Sequence, residues 1–206
     1  MSKATQTDAM GSIQRGIKRT LDFVMSALGL ILLSPIFIII SVLMKFQGNG
    51  PIFFRQIRIG YKGKPFVILK FRTISKKTEK NTPQLIAKTS CKSSTPFEKF
   101  LREHHLGELP QLWNVLVGDM SLVGPRPERK YFIDKIMEHT DLYTVIYNMR
   151  PGLTSEATLY NGYTDTMEKM LKRLQMDISY FERRSLWLDF KIIIKTFVNI
   201  ISGNKF

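Results

Sequence analysis

Between Glu103 and Pro127 the chain reads EHHLGELPQLWNVLVGDMSLVGPRP, which concentrates acids, histidines, turn residues and an arginine in one stretch. Arg126 stands between Pro125 and Pro127, and the prolines stiffen the backbone beneath it. A stiffly mounted guanidinium suits a bidentate grip on a phosphate. Arg150, ahead of Pro151-Gly152, is mounted in a similar way. Taken alone, each also reads as an ordinary surface arginine. Glu108 precedes a helix-forming run, where an acid ordinarily serves the helix dipole. His104 and His105 are adjacent, so on a helix they point in different directions and make a poor metal pair.

These groups need a frame, and composition bounds it. The 206 residues suit one modest domain with an appendage. Lys and Arg number 31 against 17 Asp and Glu, a formal charge of +14. Such an excess attracts polyanions: nucleic acid, an anionic membrane surface or phosphate-bearing substrates. The basic residues follow no nucleic-acid reading motif, so no nucleic-acid partner is expected. Cys91 is the lone cysteine, which forms no internal disulfide and builds no zinc site.

From Leu21 to Met44 the chain is apolar, with Asp22 as the one charge. As a straight helix this run spans about 36 Å, enough to cross a hydrocarbon core of about 30 Å. It is too long for the core of a signal peptide, and no small-residue cleavage site follows it. Ser34-Pro35 lies mid-run, where the proline forces a bend and Ser34 can return its hydroxyl to a freed carbonyl. Arg15, Lys18 and Arg19 precede the run; Lys45, Arg55, Arg58, Lys62 and Lys64 follow it. Cations at both ends favour placing both ends on one side. On these residues, a kinked crossing helix and a hairpin dipping into one leaflet both stand.

Residues 1–12 read as a frayed terminus. Pro51–Arg58 and Phe66–Thr73 read as strands joined by a turn over Gly60–Pro65. Ser75–Pro96, rich in Ser, Thr and Lys, reads as a mobile loop. Helices are expected at Phe97–His105, Leu109–Leu116, Glu128–Tyr147, Thr166–Phe181 and Leu186–Ile201. The last two are amphipathic and suit either core packing or the membrane interface.

From about Arg15 to the C-terminus the sequence resembles the monotopic phosphoglycosyl transferases. The resemblance rests on ordered pieces: Lys18-Arg19 with Asp22, Ser34-Pro35, Gly50 to Gln56, Gly60, Gly63-Lys64 and Lys70 to Thr73. It continues through Glu108 to Leu116, Gly118 to Glu128 and Arg150 to Thr154, then Asp177, Tyr180, Ser185 and Asp189. It implies an α+β, mostly helical fold. Residues 1–14 would be a flexible N-terminus. Residues 15–46 would be a re-entrant membrane helix hairpin broken at Ser34-Pro35. Residues 47–206 would be a small cytoplasmic domain with a short β-hairpin and interfacial amphipathic helices.

The implied setting is the bacterial inner membrane, in one leaflet, with the domain on the cytoplasmic face. The implied reaction transfers a sugar-1-phosphate from a nucleotide diphosphate sugar to polyprenol phosphate, the first step of glycan assembly, with Mg2+. Those two substrates and the membrane are the expected partners, and a homodimer is compatible with them. By the same resemblance Glu108 helps hold the magnesium ion, while Arg126, Arg150, Lys70 and Arg72 are expected to bind phosphate or substrate.

The sequence departs from this family in two places, the first at the nucleophile. The family opens its motif with Asp-Glu, the Asp being the nucleophile; here the pair is Gly107-Glu108. Glycine cannot attack phosphorus, and losing a covalent nucleophile costs on the order of 5 kcal/mol of barrier or more. The chain as given is therefore expected to have little or no turnover. The alternatives are a non-catalytic binding or regulatory relative, a substituted variant of an active enzyme, or rescue by Glu108, Glu103 or His105. Thr154-Ser155-Glu156-Ala157-Thr158 also departs from the commoner family version, as subgroup variation bearing on sugar choice.

Overall fold

The computed structural model describes residues 6–48, 50–73, 95–161 and 166–202. The Ser75–Pro96 loop lies almost wholly outside them, as does Cys91; its last residues, Thr95 and Pro96, open a helix.

Helix α1 (Ser12–Leu32) and helix α2 (Ser34–Phe46) meet at Leu33 with a bend of 58°. Pro35 sits in the first turn of α2, where its missing N–H costs nothing. Ser34 Oγ donates to Ile31 O at 2.7 Å, so the hydroxyl does serve a carbonyl at the break. Among the described residues no single helix is long and apolar enough to cross a membrane; the bent pair passes that test only together, by length and composition.

The outer end of each arm is rooted in the rest of the chain. On α1, Lys18 Nζ reaches Asp189 Oδ2 at 2.6 Å and Val123 O at 2.9 Å. Arg19 donates to Val115 O and Leu116 O at 2.7 and 2.8 Å, and Asp22 Oδ1 accepts from Leu122 N at 3.0 Å. On α2, Ile40 and Met44 are buried against Phe71 and Leu101. Toward the bend, Leu28, Ile31, Leu32, Ile38 and Ile39 are exposed, although Phe37 still packs on Phe71 and Gly29 faces Leu112.

The hairpin forms where it is expected, shifted by a residue or two: β1 (Phe53–Ile59) pairs antiparallel with β2 (Pro65–Phe71), Phe53 opposite Phe71 and Ile59 opposite Pro65. Helix α3 (Pro96–Glu103) opens on a capping box between Thr95 and Glu98. A 3-10 turn, Leu106–Glu108, leads into α4 (Gln111–Val117). Asn114 ties α4 to the hairpin, accepting from Leu69 N at 3.0 Å and donating to Val67 O at 2.8 Å.

A second sheet was not expected. Strand β3 (Ser121–Val123) pairs in parallel with β4 (Gly152–Thr154). Gly124, just after β3, and Gly152, opening β4, stand where the backbones nearly touch. A Cβ on Gly124 would lie 2.3 Å from Arg150 O, and one on Gly152 would lie 2.1 Å from Gly124 N. The contact joins the Arg126 turn to the Arg150 turn, through Gly152 N donating to Pro125 O at 2.9 Å and Gly124 N to Thr154 O at 3.0 Å.

The single helix expected over Glu128–Tyr147 is two pieces, α5 (Lys130–Met137) and a 3-10 stretch, Asp141–Asn148. Thr140 is extended and its Oγ1 accepts from Leu142 N at 3.3 Å, so a capping hydroxyl interrupts the helix. After α6 (Glu156–Asn161), helix α7 (Met167–Arg183) turns Met170, Leu174 and Ile178 into the main core beside Phe132, Ile133 and Ile136. Its apolar face is core, not interface. Helix α8 (Leu186–Ile201) buries Ile192 but exposes Trp187, Phe190, Ile194 and Phe197. The N-terminal segment is docked rather than frayed at Asp8–Met10. Met10 is fully buried, and Asp8 takes Arg184 at 2.5 and 2.7 Å and Arg15 at 2.7 Å.

Candidate active site

Three elements converge on Glu108. Helix α3 ends at Glu103, and two residues on His105, whose φ of 56° lies in the left-handed region, reverses the chain. The 3-10 turn that follows presents Glu108, its N–H bonded to His105 O at 3.0 Å. Strand β2 supplies Lys70, whose Nζ donates to Glu108 Oε1 at 2.8 Å. The rigid turn after β3 supplies Arg126, with Nη2 at 3.8 Å from the same oxygen.

The electrostatics are those of one carboxylate facing two cations. Burial resists charge on Glu108, but Lys70 and then Arg126 outweigh it and hold the carboxyl down at about 2. Burial likewise pulls Lys70 below its ordinary value, with Glu108 opposing and Arg126 assisting. Burial lowers His105 too, Glu108 opposing while Arg126, Lys70 and His104 add to the fall. Lys70 and Arg126 thus converge on a single carboxylate oxygen.

Gly107 is buried in the same turn. A Cβ built on it would meet Thr73 Cγ2 at 2.8 Å, with Leu101 O and Phe71 O at 3.9 and 4.0 Å. Any side chain at 107 therefore leaves the backbone toward the end of β2.

The other two expected phosphate ligands are engaged elsewhere. Arg72 is buried, with Nε at 3.2 Å from Glu98 Oε1 and Nη1 donating to Pro51 O at 2.7 Å. It locks α3 to the hairpin. Sequence reasoning could not separate it from Lys70, two residues away. Arg150 donates through Nε to Gly118 O at 3.0 Å and stacks on the Tyr61 ring at 5.0 Å. Gly118 caps the far end of α4 from Glu108, roughly 10 Å along the helix at about 1.5 Å per residue.

Sequence reasoning also missed a polar cluster behind Arg126. Glu128 meets Arg58 at 3.5 Å and Arg173 at 3.4 Å. Asp177, one helical turn beyond Arg173, is buried and pushed up to about 7, chiefly by burial, with Arg173 opposing. The i, i+4 spacing of Arg173 and Asp177 on an otherwise apolar helix face was the available signal.

Residues 13–203 match the family described as bacterial sugar transferase. The chain belongs to that family. Among its relatives, the UDP-glucose:undecaprenyl-phosphate glucose-1-phosphate transferase of Klebsiella pneumoniae is 40% identical over 190 residues, covering 91% of this chain and 40% of the relative. The UDP-N-acetylgalactosamine-undecaprenyl-phosphate N-acetylgalactosaminephosphotransferase of Aeromonas hydrophila is 35% identical over 187 residues, 91% of this chain and 44% of the relative. The exopolysaccharide production protein ExoY of Rhizobium meliloti is 32% identical over 206 residues, 93% of this chain and 88% of the relative. The chain thus spans about two fifths of the first two and most of the third. Glu108, Lys70, Arg126 and Gly107 all fall inside the sugar transferase match.

Proposed function

We propose that this sugar transferase chain binds a UDP-sugar and undecaprenyl phosphate at a membrane surface, on a scaffold built for sugar-1-phosphate transfer, and that Gly107 disables the covalent step. The carrying observation is the convergence of Lys70 and Arg126 on Glu108, one residue after Gly107. A donor diphosphate competes with Glu108 for those two cations. In the transfer, a bond forms from the acceptor phosphate oxygen to the donor β-phosphorus. The bond from that phosphorus to the bridging oxygen breaks, and UMP leaves. An enzyme of this kind splits the exchange through a carboxyl-phosphate, since two anionic substrates repel each other. Position 107 offers no carboxyl for it.

Magnesium is part of the proposal, with Glu108 as its protein ligand. Among the described residues no cluster of three or more His, Cys, Asp or Glu could hold a metal ion. One ionised carboxylate among cations suits a magnesium ion that arrives on a diphosphate, not a lone ion. Bound there, it would neutralise diphosphate charge.

We place α1 and α2 in one leaflet of the inner membrane, re-entering on the cytoplasmic side. Support comes from both outer arm ends being rooted in the rest of the chain while Ile31, Leu32 and Ile36, beside the bend, are exposed. Each arm is about 20 Å long from Leu21 onward, short of a full crossing. The exposed face of α8, with Lys191 and Lys195 beside it, suits the headgroup region.

A second reading, a membrane-bound binding or regulatory protein, is favoured by the Thr73 methyl filling the space beside Gly107. The test uses the full chain in nanodiscs with UDP-glucose, undecaprenyl phosphate and magnesium. The expected result is UDP-glucose binding without UMP release, and UMP release by Gly107→Asp. Failure to bind UDP-glucose would overturn the site assignment.

A further inference from the structure

We propose that Glu128 is a positioning residue for Arg126, clamped by Arg58 from β1 and Arg173 from α7; this rests on the reading that Arg126 grips the donor diphosphate. The Arg126 side chain is itself over a third exposed, and its nearest ion pair is the long contact to Glu108. What fixes it is the turn beneath. Arg58 Nη1 donates to Pro127 O at 3.1 Å and reaches Glu128 Oε2 at 3.5 Å. Ile59 N donates to Glu128 O at 3.1 Å. Arg173 Nη1 reaches the other carboxylate oxygen, Oε1, at 3.4 Å. Backbone and side chain of the two residues after Arg126 are therefore pinned to the hairpin and to α7.

Charge gives Glu128 a second task. Arg58, Arg126 and Arg173 gather near one another, and Arg126 disfavours the charged form of both its neighbours. Arg126, Glu128 and Arg173 line one small cavity with Asp177, of about 20 Å³. The Glu128 carboxylate offsets the mutual repulsion of the three guanidiniums. Without it, Arg126 is the one free to swing away, because Arg58 and Arg173 are far more enclosed. Glu128 thereby keeps Arg126 aimed at the site without touching the ligand.

The chain as it stands suits the test, since a donor that is not consumed can be titrated to equilibrium. UDP-glucose with magnesium is titrated into the full chain in nanodiscs for four forms: unaltered, Arg126→Ala, Glu128→Gln and the double substitution. The expected result is weakening of about tenfold for Arg126→Ala, about fivefold for Glu128→Gln, and no more for the pair than for Arg126→Ala alone. A merely structural Glu128 would multiply the two effects, which overturns the proposal. So does unchanged binding by Glu128→Gln while Arg126→Ala weakens it. Unchanged binding by Arg126→Ala removes the functional reading itself, and the positioning role with it. Should Glu128→Gln fail to fold, Arg58→Lys keeps the charge but loses the fork on Pro127 O and Glu128. It is expected to weaken binding only while Arg126 is present, and is judged by the same outcomes.

Discussion

The Thr73 methyl lies 2.8 Å from where a Cβ on Gly107 would sit. Real Cβ atoms do not come so close, so any side chain at 107 displaces Thr73. Overpacking of this kind costs about 1–3 kcal/mol. Gly107→Asp is therefore expected to melt at a lower temperature than the unaltered chain while gaining UMP release. Adding Thr73→Ser, which removes the methyl and keeps the hydroxyl, is expected to recover most of the lost melting temperature. Thermal unfolding of the single and double variants checks this; an unshifted melt for Gly107→Asp contradicts it.

Glu108 makes stability depend on acid. Its carboxyl is held at about 2, below the ordinary 4.5, because Lys70 and Arg126 outweigh burial. An acid with a lowered folded value contributes stability above pH 4.5 and loses it as pH falls from there toward 2. The contribution is on the order of 2–3 kcal/mol. Glu108→Gln is expected to flatten that acid limb in denaturant unfolding between pH 5 and 2, roughly the same window. An acid limb of unchanged steepness would rule out the ion pairs as its source.

Asp177 acts in the opposite sense. Burial, reinforced by Glu128 and Glu156 and opposed by Arg173, lifts it from 3.8 to about 7. The folded state then holds the proton more tightly than the unfolded chain does. Stability is full below pH 3.8, declines as pH rises through 7, and levels off above. Asp177→Asn is expected to raise the melting temperature at pH 8 and to leave it nearly level between pH 5 and 8, where the unaltered chain declines. A lower melt for the variant at pH 8 contradicts the assignment.

Arg72 tests the difference between sequence and structure most sharply. Arg72 and Glu98 are both nearly inaccessible, at 2% each. Removing one partner strands a buried charge, which costs about 3–5 kcal/mol, whereas removing both with apolar residues is often neutral. Arg72→Met is expected to unfold far more easily than Arg72→Met with Glu98→Leu. Equal stability of the two would show that the pair is not what joins α3 to β2.

Legibility in the sequence followed the range of the interactions. The hairpin was readable because Phe53–Ile59 and Pro65–Phe71 are bounded by a glycine-rich turn. The break at Ser34-Pro35 was readable because proline acts locally. Strands β3 and β4 were not, since three residues show no periodicity and their pairing depends on Gly124 meeting Gly152 across the fold. Family motifs pointed to Glu108, Lys70 and Arg126, but could not show that Arg72 faces Glu98 or that Arg150 stacks on Tyr61. Asp8 looked like part of a loose end because Arg184, its anchor, stands far along the chain.

Gly107 offers no side chain that could carry a phosphosugar. Intact-mass measurement of the chain and of Gly107→Asp, each incubated with UDP-glucose and magnesium without acceptor, is the direct test. The predicted result is a glucose-phosphate adduct on Gly107→Asp and none on the unaltered chain. An adduct on the unaltered chain would mean that another residue carries the phosphosugar, and would contradict the account.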